Sequence, residues 1–118
     1  MNPYIEIIRP GNVVMATIAV VLVAIINHTI SIPIILAILS VLFEISAGNV
    51  INDYFDYRID LINKPERPLP SGKIKLNTAK NYAYTLFALG TVCGLLISLL
   101  TKNWIPLLIV LFSDIFIY

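Results

Sequence analysis

The stretch Gly48–Gly72, GNVINDYFDYRIDLINKPERPLPSG, joins an acidic helix end to a basic, proline-rich loop. Asn52, Asp56 and Asp60 recur every four residues, so at about 100° per residue they advance about 40° per step and should form one helical ridge. Asp53 lies on the same half of that helix, and no cation is predicted between the carboxylates, which repel one another. Oxygen ligands in this pattern favour Mg²⁺, usually held by one or two carboxylates plus substrate phosphates. We therefore predict a Mg²⁺ site at Asn52, Asp53, Asp56 and Asp60.

The loop that follows carries the positive charge that phosphates need. Arg67 precedes Pro68, and its guanidinium can hold phosphate oxygens through two parallel hydrogen bonds. Lys64 and Lys73 are weaker candidates, because anchoring the membrane topology is a sufficient explanation for either positive charge. Asn49 adjoins the acidic motif one turn earlier. The sequence thus predicts a substrate-binding set of Asn49, Asn52, Lys64, Arg67 and Lys73.

Composition indicates an integral membrane protein. Of the 118 residues, 58 % are hydrophobic and only 13 % are charged, whereas soluble domains average about 25 % charged residues. No Asp, Glu, Lys or Arg occurs from Pro10 to Phe43 or from Asn81 to Thr101. Since roughly 20 apolar residues cross a bilayer, both runs are long enough to span one.

The predicted fold class is all-α, a membrane helical bundle of three full transmembrane helices and a truncated fourth. The spans are predicted at about 12–30, 33–53, 79–100 and 104–118, with a loop over 61–76 and Asn77 or Thr78 as the cap of the third span. The last span covers about 22 Å, short of the roughly 30 Å hydrocarbon core, so we expect a truncated chain. Every Lys and Arg except Lys102 falls at one end, and the positive-inside rule places the Asp/Arg site and the N-terminus in the cytoplasm.

Other polar and aromatic residues have plainer interpretations beside functional ones. Glu44 lies within the second span, where a functional carboxylate and a hydrogen-bonded structural carboxylate facing another helix are equally favoured. For Asp114, polar packing between helices is the better interpretation. A packing role is favoured for Cys93 and a structural role for His28. Tyr82 and Tyr84, near the start of span 3, are favoured as interfacial residues, although their aromatic rings can also stabilise a carbocation.

Two motifs carry a family resemblance. NDYFDYRID at Asn52–Asp60, followed by RPLPSG at Arg67–Gly72, resembles the first aspartate-rich motif of the UbiA-type intramembrane prenyltransferases. IRPGN at Ile8–Asn12 is similar to the N-terminal signature of that family. The resemblance covers the whole chain and is greatest for the small archaeal-type members. It implies a fold of about nine helices around a cavity open to lipid, with residues 1–118 as the N-terminal part of an incomplete domain.

The resemblance also implies a reaction. Family members transfer a polyprenyl group from its Mg²⁺-bound diphosphate to an acceptor in the membrane. For the archaeal type the donor carries a geranylgeranyl group, and the acceptor is geranylgeranylglyceryl phosphate in ether-lipid synthesis. An aromatic acceptor of the quinone, haem or chlorophyll type is the alternative. Asn52, Asp56 and Asp60 match metal-binding positions and Arg67 matches a diphosphate contact, so the expected catalytic residues are Asp56, Asp60 and Arg67.

One departure from the family pattern limits this expectation. The second aspartate motif is absent, since the only acidic residues after Asp60 are Glu66 and Asp114. We therefore expect the chain alone to be inactive or nearly so: a fragment, a truncated gene product, or half of a split enzyme completed by a second chain.

Three other classes of protein compete with the prenyltransferase. A transporter or channel segment should carry its ionisable residues near mid-membrane. A CDP-alcohol phosphotransferase should show a D-G-x-x-A-R start, which is missing. A non-catalytic membrane fragment paired with a partner chain is the third alternative, and no nucleic-acid partner is predicted.

Overall fold

All regular secondary structure is helical in the computed structural model, which describes residues 2–26 and 31–117. The predicted all-α class is confirmed for this part of the chain. Residues 27–29, the predicted far end of the first span, lie outside the described residues, and His28 with them. The six helices are α1 (Pro3–Ile7), α2 (Pro10–Ile26), α3 (Ile32–Phe55), α4 (Tyr57–Asn63), α5 (Leu76–Thr101) and α6 (Ile105–Ile117).

Helix α3 is the centre of the bundle. It packs along α5, while α2 lies against α3, and α6 mainly against α5. The first turn of α3 is fixed by the extended backbone of Ser31 and by Pro33. The missing N–H of Pro33 costs nothing there, because the N–H groups of the first helical turn have no partner within the helix. Helices α3 and α5 are long and apolar enough to cross a membrane, while α2 is a shorter apolar helix. They match predicted spans 2 and 3; the first and fourth spans and the nine-helix fold stay predictions.

Two glycines on α5 let its neighbours approach closely. A Cβ atom at Gly90 would lie 2.8 Å from Cδ of Glu44 on α3. A Cβ atom at Gly94 would lie 2.8 Å from Cγ2 of Val110 on α6. The pair forms the small-xxx-small pattern by which membrane helices bring their backbones together. Helix α5 therefore contacts a different partner helix through each glycine.

The loop from Lys64 to Lys75 is held against the bundle by its own apolar side chains. Leu69 and Ile74 are each only 3 % exposed, and the N–H of Ile74 donates to the carbonyl of Pro68 at 3.2 Å. Gly72 takes φ +81°, a left-handed conformation that glycine adopts without strain. Both buried residues belong to a core cluster at this end of the bundle: Ile7, Ala47, Val50, Ile51, Leu69, Ile74, Ala79, Ala83, Leu86 and Phe87.

Two predicted boundaries of this loop are wrong. Helix α4 continues to Asn63, so the loop begins after the predicted Leu61. Helix α5 already begins at Leu76, after the extended Lys75, and neither Asn77 nor Thr78 is its cap. The apolar Leu76 enters the first turn because the buried Ile74 fixes the approach of the chain.

Candidate functional site

The acidic motif does not form the single ridge that the sequence predicts. Helix α3 ends at Phe55 because Asp56 takes ψ 6°, and α4 starts at the next residue. Asp53 and Asp60 are buried at 4 % and 5 % exposure, whereas Asn52 and Asp56 are exposed. Asp60 follows Asp53 by seven residues, about two helical turns, and both carboxylates contact Arg67. The motif therefore has an inner pair of carboxylates and an outer pair of oxygen-bearing side chains.

The inner carboxylates share Arg67, contrary to the prediction of an acidic row without cations. Arg67 Nη1 lies 3.1 Å from Asp60 Oδ2 and 3.5 Å from Asp53 Oδ1. The proline-rich loop makes this possible by folding back: the N–H of Arg67 donates to the carbonyl of Lys64 at 3.2 Å. No hydrogen bond joins its Nη2 or Nε to another residue in the described ranges. Since a guanidinium has five N–H donors, most of them stay available to a ligand.

A second arginine reaches the site from the start of the chain. Arg9 Nη2 donates to Asp53 Oδ1 at 2.8 Å. Arg9 lies between α1 and α2 with φ 55°, uncommon for a residue other than glycine. Asn49 on α3 fixes the same turn, because its Nδ2 donates to the carbonyl of Ile8 at 2.7 Å. Asn49, predicted to bind substrate, thus uses this donor to hold α3 to the N-terminal turn.

The four charged groups alternate in sign as Arg9–Asp53–Arg67–Asp60. Two buried carboxylates without partners would be costly, because a charge removed from water needs a counter-charge and hydrogen bonds. Here two guanidinium groups offset both negative charges. We call this set the arginine–aspartate row. Arg9 was absent from the predicted site; its only signal in the sequence was the IRPGN motif at Ile8–Asn12.

Outside this row, Asn52 and Asp56 present two oxygen-bearing side chains one turn apart. The N–H of Asp56 donates to the carbonyl of Asn52 at 2.9 Å. Asp56 makes no ion pair within residues 2–26 and 31–117. In the same residues, no three His, Cys, Asp or Glu side chains form a group able to hold a metal ion. Asn52 and Asp56 therefore fit part of a Mg²⁺ site, which commonly includes substrate phosphates and water.

Lys64 and Lys73 lie on the exposed part of the loop. Lys64 ends α4, and its N–H donates to the carbonyl of Asp60 at 2.9 Å. Neither lysine pairs with a carboxylate in the part of the chain that the structure describes. Their charges are therefore free to face an anion in the surrounding water.

Tyr82 and Tyr84 lie near the start of α5. Tyr82 donates its hydroxyl to the carbonyl of Tyr4 at 3.1 Å, and the two rings meet edge to face with centroids 5.6 Å apart. The ring of Tyr84 lies 5.8 Å from Nζ of Lys80. Tyr82 thus serves to hold α1 against α5, while its interfacial role stays a prediction. Cys93 is buried in α5, as its packing interpretation requires.

The profile of the UbiA prenyltransferase family matches residues 13–118. The chain therefore belongs to the UbiA prenyltransferase family, as the two sequence motifs predict. With two membrane-capable helices and this family, it is a membrane protein.

Individual relatives show which members of the family the chain resembles. The chain is 68 % identical over 118 residues to digeranylgeranylglyceryl phosphate synthase of Methanobrevibacter smithii, covering 100 % of this chain and 42 % of that protein. It is 56 % identical over 99 residues to the synthase of the same name from Methanosphaera stadtmanae, covering 84 % and 36 %. A solved structure from work on digeranylgeranylglyceryl phosphate synthase in membranes matches with a TM-score of 0.88 and 44 % identity, covering 98 % of this chain and 41 % of that one. The predicted resemblance to the archaeal-type members is confirmed, and the chain spans less than half the length of these relatives.

Proposed function

We propose that this chain forms part of an enzyme that transfers a geranylgeranyl group from its diphosphate to geranylgeranylglyceryl phosphate in the membrane. One observation carries the proposal: the arginine–aspartate row lies beside the exposed pair Asn52 and Asp56, at the end of the bundle that also carries Lys64 and Lys73. A diphosphate needs both a cation-binding group and N–H donors, and this end of the bundle offers the two side by side.

Asn52 and Asp56 are the residues that would hold Mg²⁺, with Asp60 and Asp53 behind them. Magnesium would supply neutralising charge for the departing diphosphate. Within the chain, Asp60 and Asp53 have a second role, because they fix the Arg67 guanidinium in place. A pre-positioned cation stabilises developing negative charge without reorganising during the reaction.

Arg67 is the proposed diphosphate ligand. Only its Nη1 faces the two carboxylates, and the side chain is 24 % exposed. Its remaining donors can form the paired hydrogen bonds that suit phosphate oxygens. Lys64 and Lys73 would add positive charge around the same diphosphate. As more flexible point charges they would attract the anion without fixing its orientation.

The reaction consistent with this site breaks the bond between prenyl C1 and the diphosphate oxygen. The electron pair leaves with the diphosphate, and C1 becomes an allylic carbocation. The free hydroxyl of the acceptor then bonds to C1 through its oxygen, and its proton passes to the released diphosphate or to water. Stabilising the leaving anion is therefore the main task of Arg67 and the lysines.

The names of the relatives support a glycerol-type lipid acceptor over an aromatic one. The multi-pass arrangement, the nine-helix fold and the cytoplasmic position of the site complete the proposal; the charge distribution supports the last of these. A second acidic motif, in the same protein or a second chain, would complete the metal site. Inactivity of the 118-residue chain alone stays a prediction.

The test uses the protein in its full length, reconstituted in lipid with radiolabelled geranylgeranyl diphosphate and geranylgeranylglyceryl phosphate. Turnover should require a divalent cation, and Asp56→Asn should lower it at least a hundredfold. Glu66→Gln is the matched control, because Glu66 is an exposed loop carboxylate without an ion pair among the described residues. Equal turnover in Asp56→Asn and Glu66→Gln would reject Asp56 as a metal ligand. Turnover with a quinone precursor but not with geranylgeranylglyceryl phosphate would reject the proposed acceptor.

A further inference from the structure

Glu44 places a carboxyl group inside the apolar part of the bundle, away from the arginine–aspartate row. It lies near the middle of α3 (Ile32–Phe55) and is 7 % exposed. Its side chain fills the space left by Gly90, where a Cβ atom would lie 2.9 Å from Glu44 Cγ. Neither Oε1 nor Oε2 has a hydrogen-bond partner within the described residues. A buried carboxyl group without a donor is unusual and calls for a physical explanation.

Asp114 on α6 meets Glu44 at this point. Glu44 packs against Gly90 of α5, and Asp114 contacts the next residue of that helix, Thr91. Asp114 Oδ2 lies 2.7 Å from Thr91 Oγ1, whereas Asp114 Oδ1 is buried without a partner in the described part of the chain. Thr91 Oγ1 is also 2.9 Å from the carbonyl of Phe87. The carboxyl pair therefore joins α3 and α6 beside α5.

The charged groups around this pair do not neutralise it. Neither carboxyl group forms an ion pair in the described ranges. The only Lys or Arg of α3, α5 and α6 is Lys80, about 16 Å along α5 from Thr91 at 1.5 Å per residue. Of the titratable side chains on these helices, Tyr84 lines the same cavity as Asp114, about 300 Å³ in volume, and Cys93 is buried farther along α5.

The number of hydrogens available for hydrogen bonds bears on whether both carboxyl groups of the pair are ionised. Two ionised carboxylates in contact in an apolar interior would repel each other and lose their hydration. The hydroxyl of Thr91 supplies one hydrogen for four carboxyl oxygens and has a second possible acceptor in Phe87. Within the described residues, burial of both groups is accommodated when at least one further hydrogen lies between them, as in other closely coupled carboxyl pairs.

We propose that Glu44 and Asp114 form a proton-binding site, in which Glu44 is a carboxylic acid that donates its hydrogen to Asp114 Oδ1. Thr91 donates to Asp114 Oδ2, so that one carboxylate accepts from two directions. The bound ligand is a proton rather than a metal ion. This site is independent of the proposed transfer reaction, because none of its members belongs to the diphosphate-binding set.

The test is infrared spectroscopy of the full-length protein in lipid nanodiscs at neutral pH. The wild-type protein should show the C=O stretch of a protonated carboxylic acid, shifted by exchange into D₂O. Glu44→Gln should remove that band, since its amide can donate to Asp114 in place of the acid. Glu66→Gln, which removes an exposed carboxylate, should leave the band intact.

Two results would overturn the proposal. A wild-type spectrum without the band would show that both carboxyl groups are ionised. A band that persists unchanged in Glu44→Gln would assign the proton elsewhere. A second variant, the double amide Glu44→Gln/Asp114→Asn, should also lack the band. It should retain wild-type thermal stability within about 2 °C, because neutral amides can replace the hydrogen-bonded pair.

Discussion

Arg9 and Asp53 are 44 residues apart in the chain, yet Arg9 Nη2 lies 2.8 Å from Asp53 Oδ1. This ion pair fastens the turn between α1 and α2 to the end of α3. Because Asp53 also approaches Arg67 at 3.5 Å, one buried carboxylate orients guanidinium groups from two distant segments. The pairing assigns Asp53 a positioning role beside the metal-binding role that the sequence suggested.

Replacing Asp53 by Asn should destabilise the protein. Removing one partner of a fully buried pair costs about 3–5 kcal/mol, and the partial exposure of both arginines should reduce this to about 2 kcal/mol. The free energy of unfolding in mild detergent measures the effect. Asp56→Asn is the matched control, because the exposed Asp56 has no such pair among the described residues and should change stability by less than about 0.5 kcal/mol. Equal losses in both variants would contradict the positioning role.

Asp56→Asn should instead separate metal use from stability. If Asp56 holds Mg²⁺, the variant should need a higher Mg²⁺ concentration for half-maximal turnover and should lose at least a hundredfold in rate at the wild-type optimum. Turnover against Mg²⁺ concentration, measured on protein of normal thermal stability, provides the comparison. An unchanged Mg²⁺ dependence would remove Asp56 from the metal ligands.

Arg67→Lys keeps the positive charge and removes the planar fork of donors. Losing a charge-assisted hydrogen bond costs about 1.5–3 kcal/mol, so kcat/KM for the diphosphate should fall about ten- to a hundredfold. Lys75→Arg, at an exposed loop position, serves as the control and should keep its rate. A wild-type rate for Arg67→Lys would show that this position contributes only charge.

Gly90→Ala should destabilise the contact between α3 and α5. The new methyl group would lie 2.8 Å from Cδ of Glu44, and overpacking of this kind costs about 1–3 kcal/mol. Gly11→Ala provides the control, since nothing lies within 4 Å of a Cβ atom there and alanine favours helix by up to about 1 kcal/mol. Thermal unfolding should rank Gly90→Ala below the wild type and Gly11→Ala at or above it; the opposite order would contradict the close approach.

Gly94→Ala should act on a different contact, between α5 and α6. Its methyl group would lie 2.8 Å from Cγ2 of Val110. Val110→Ala removes that methyl group, so the double variant should recover at least half of the stability lost in Gly94→Ala. Strictly additive losses in the double variant would place the strain elsewhere.

The sequence predicts the long helices well because membrane thickness dictates their length. The apolar runs and Pro33 place α3 and α5 within a few residues of their observed ends. The loop is also anticipated, because three prolines and Gly72 exclude a helix there. These features depend on local composition, which a single chain displays directly.

The details of the site depend on contacts that no local pattern reveals. Asp60 is buried beside Arg67 while Asn52 and Asp56 are exposed, although four-residue spacing predicts one ridge. The Arg9–Asp53 pair and the contact of Asp114 with Thr91 join distant segments. Periodicity describes one helix at a time, so it cannot show which carboxylate another helix or loop will neutralise.

The fit of the Glu44 side chain against Gly90 affects how α3 and α5 are positioned lengthwise against each other. Contacts between aliphatic side chains are non-directional, so the relative position of two apolar helices depends on how the shapes of their side chains fit together. A shift of α5 by one helical turn would set Leu86 or Phe87 against the acid in one direction, and Cys93 or Gly94 in the other, in place of the space at Gly90. The fit of Glu44 against Gly90 thus opposes a lengthwise shift of α5 that would bring a larger side chain opposite the carboxyl group.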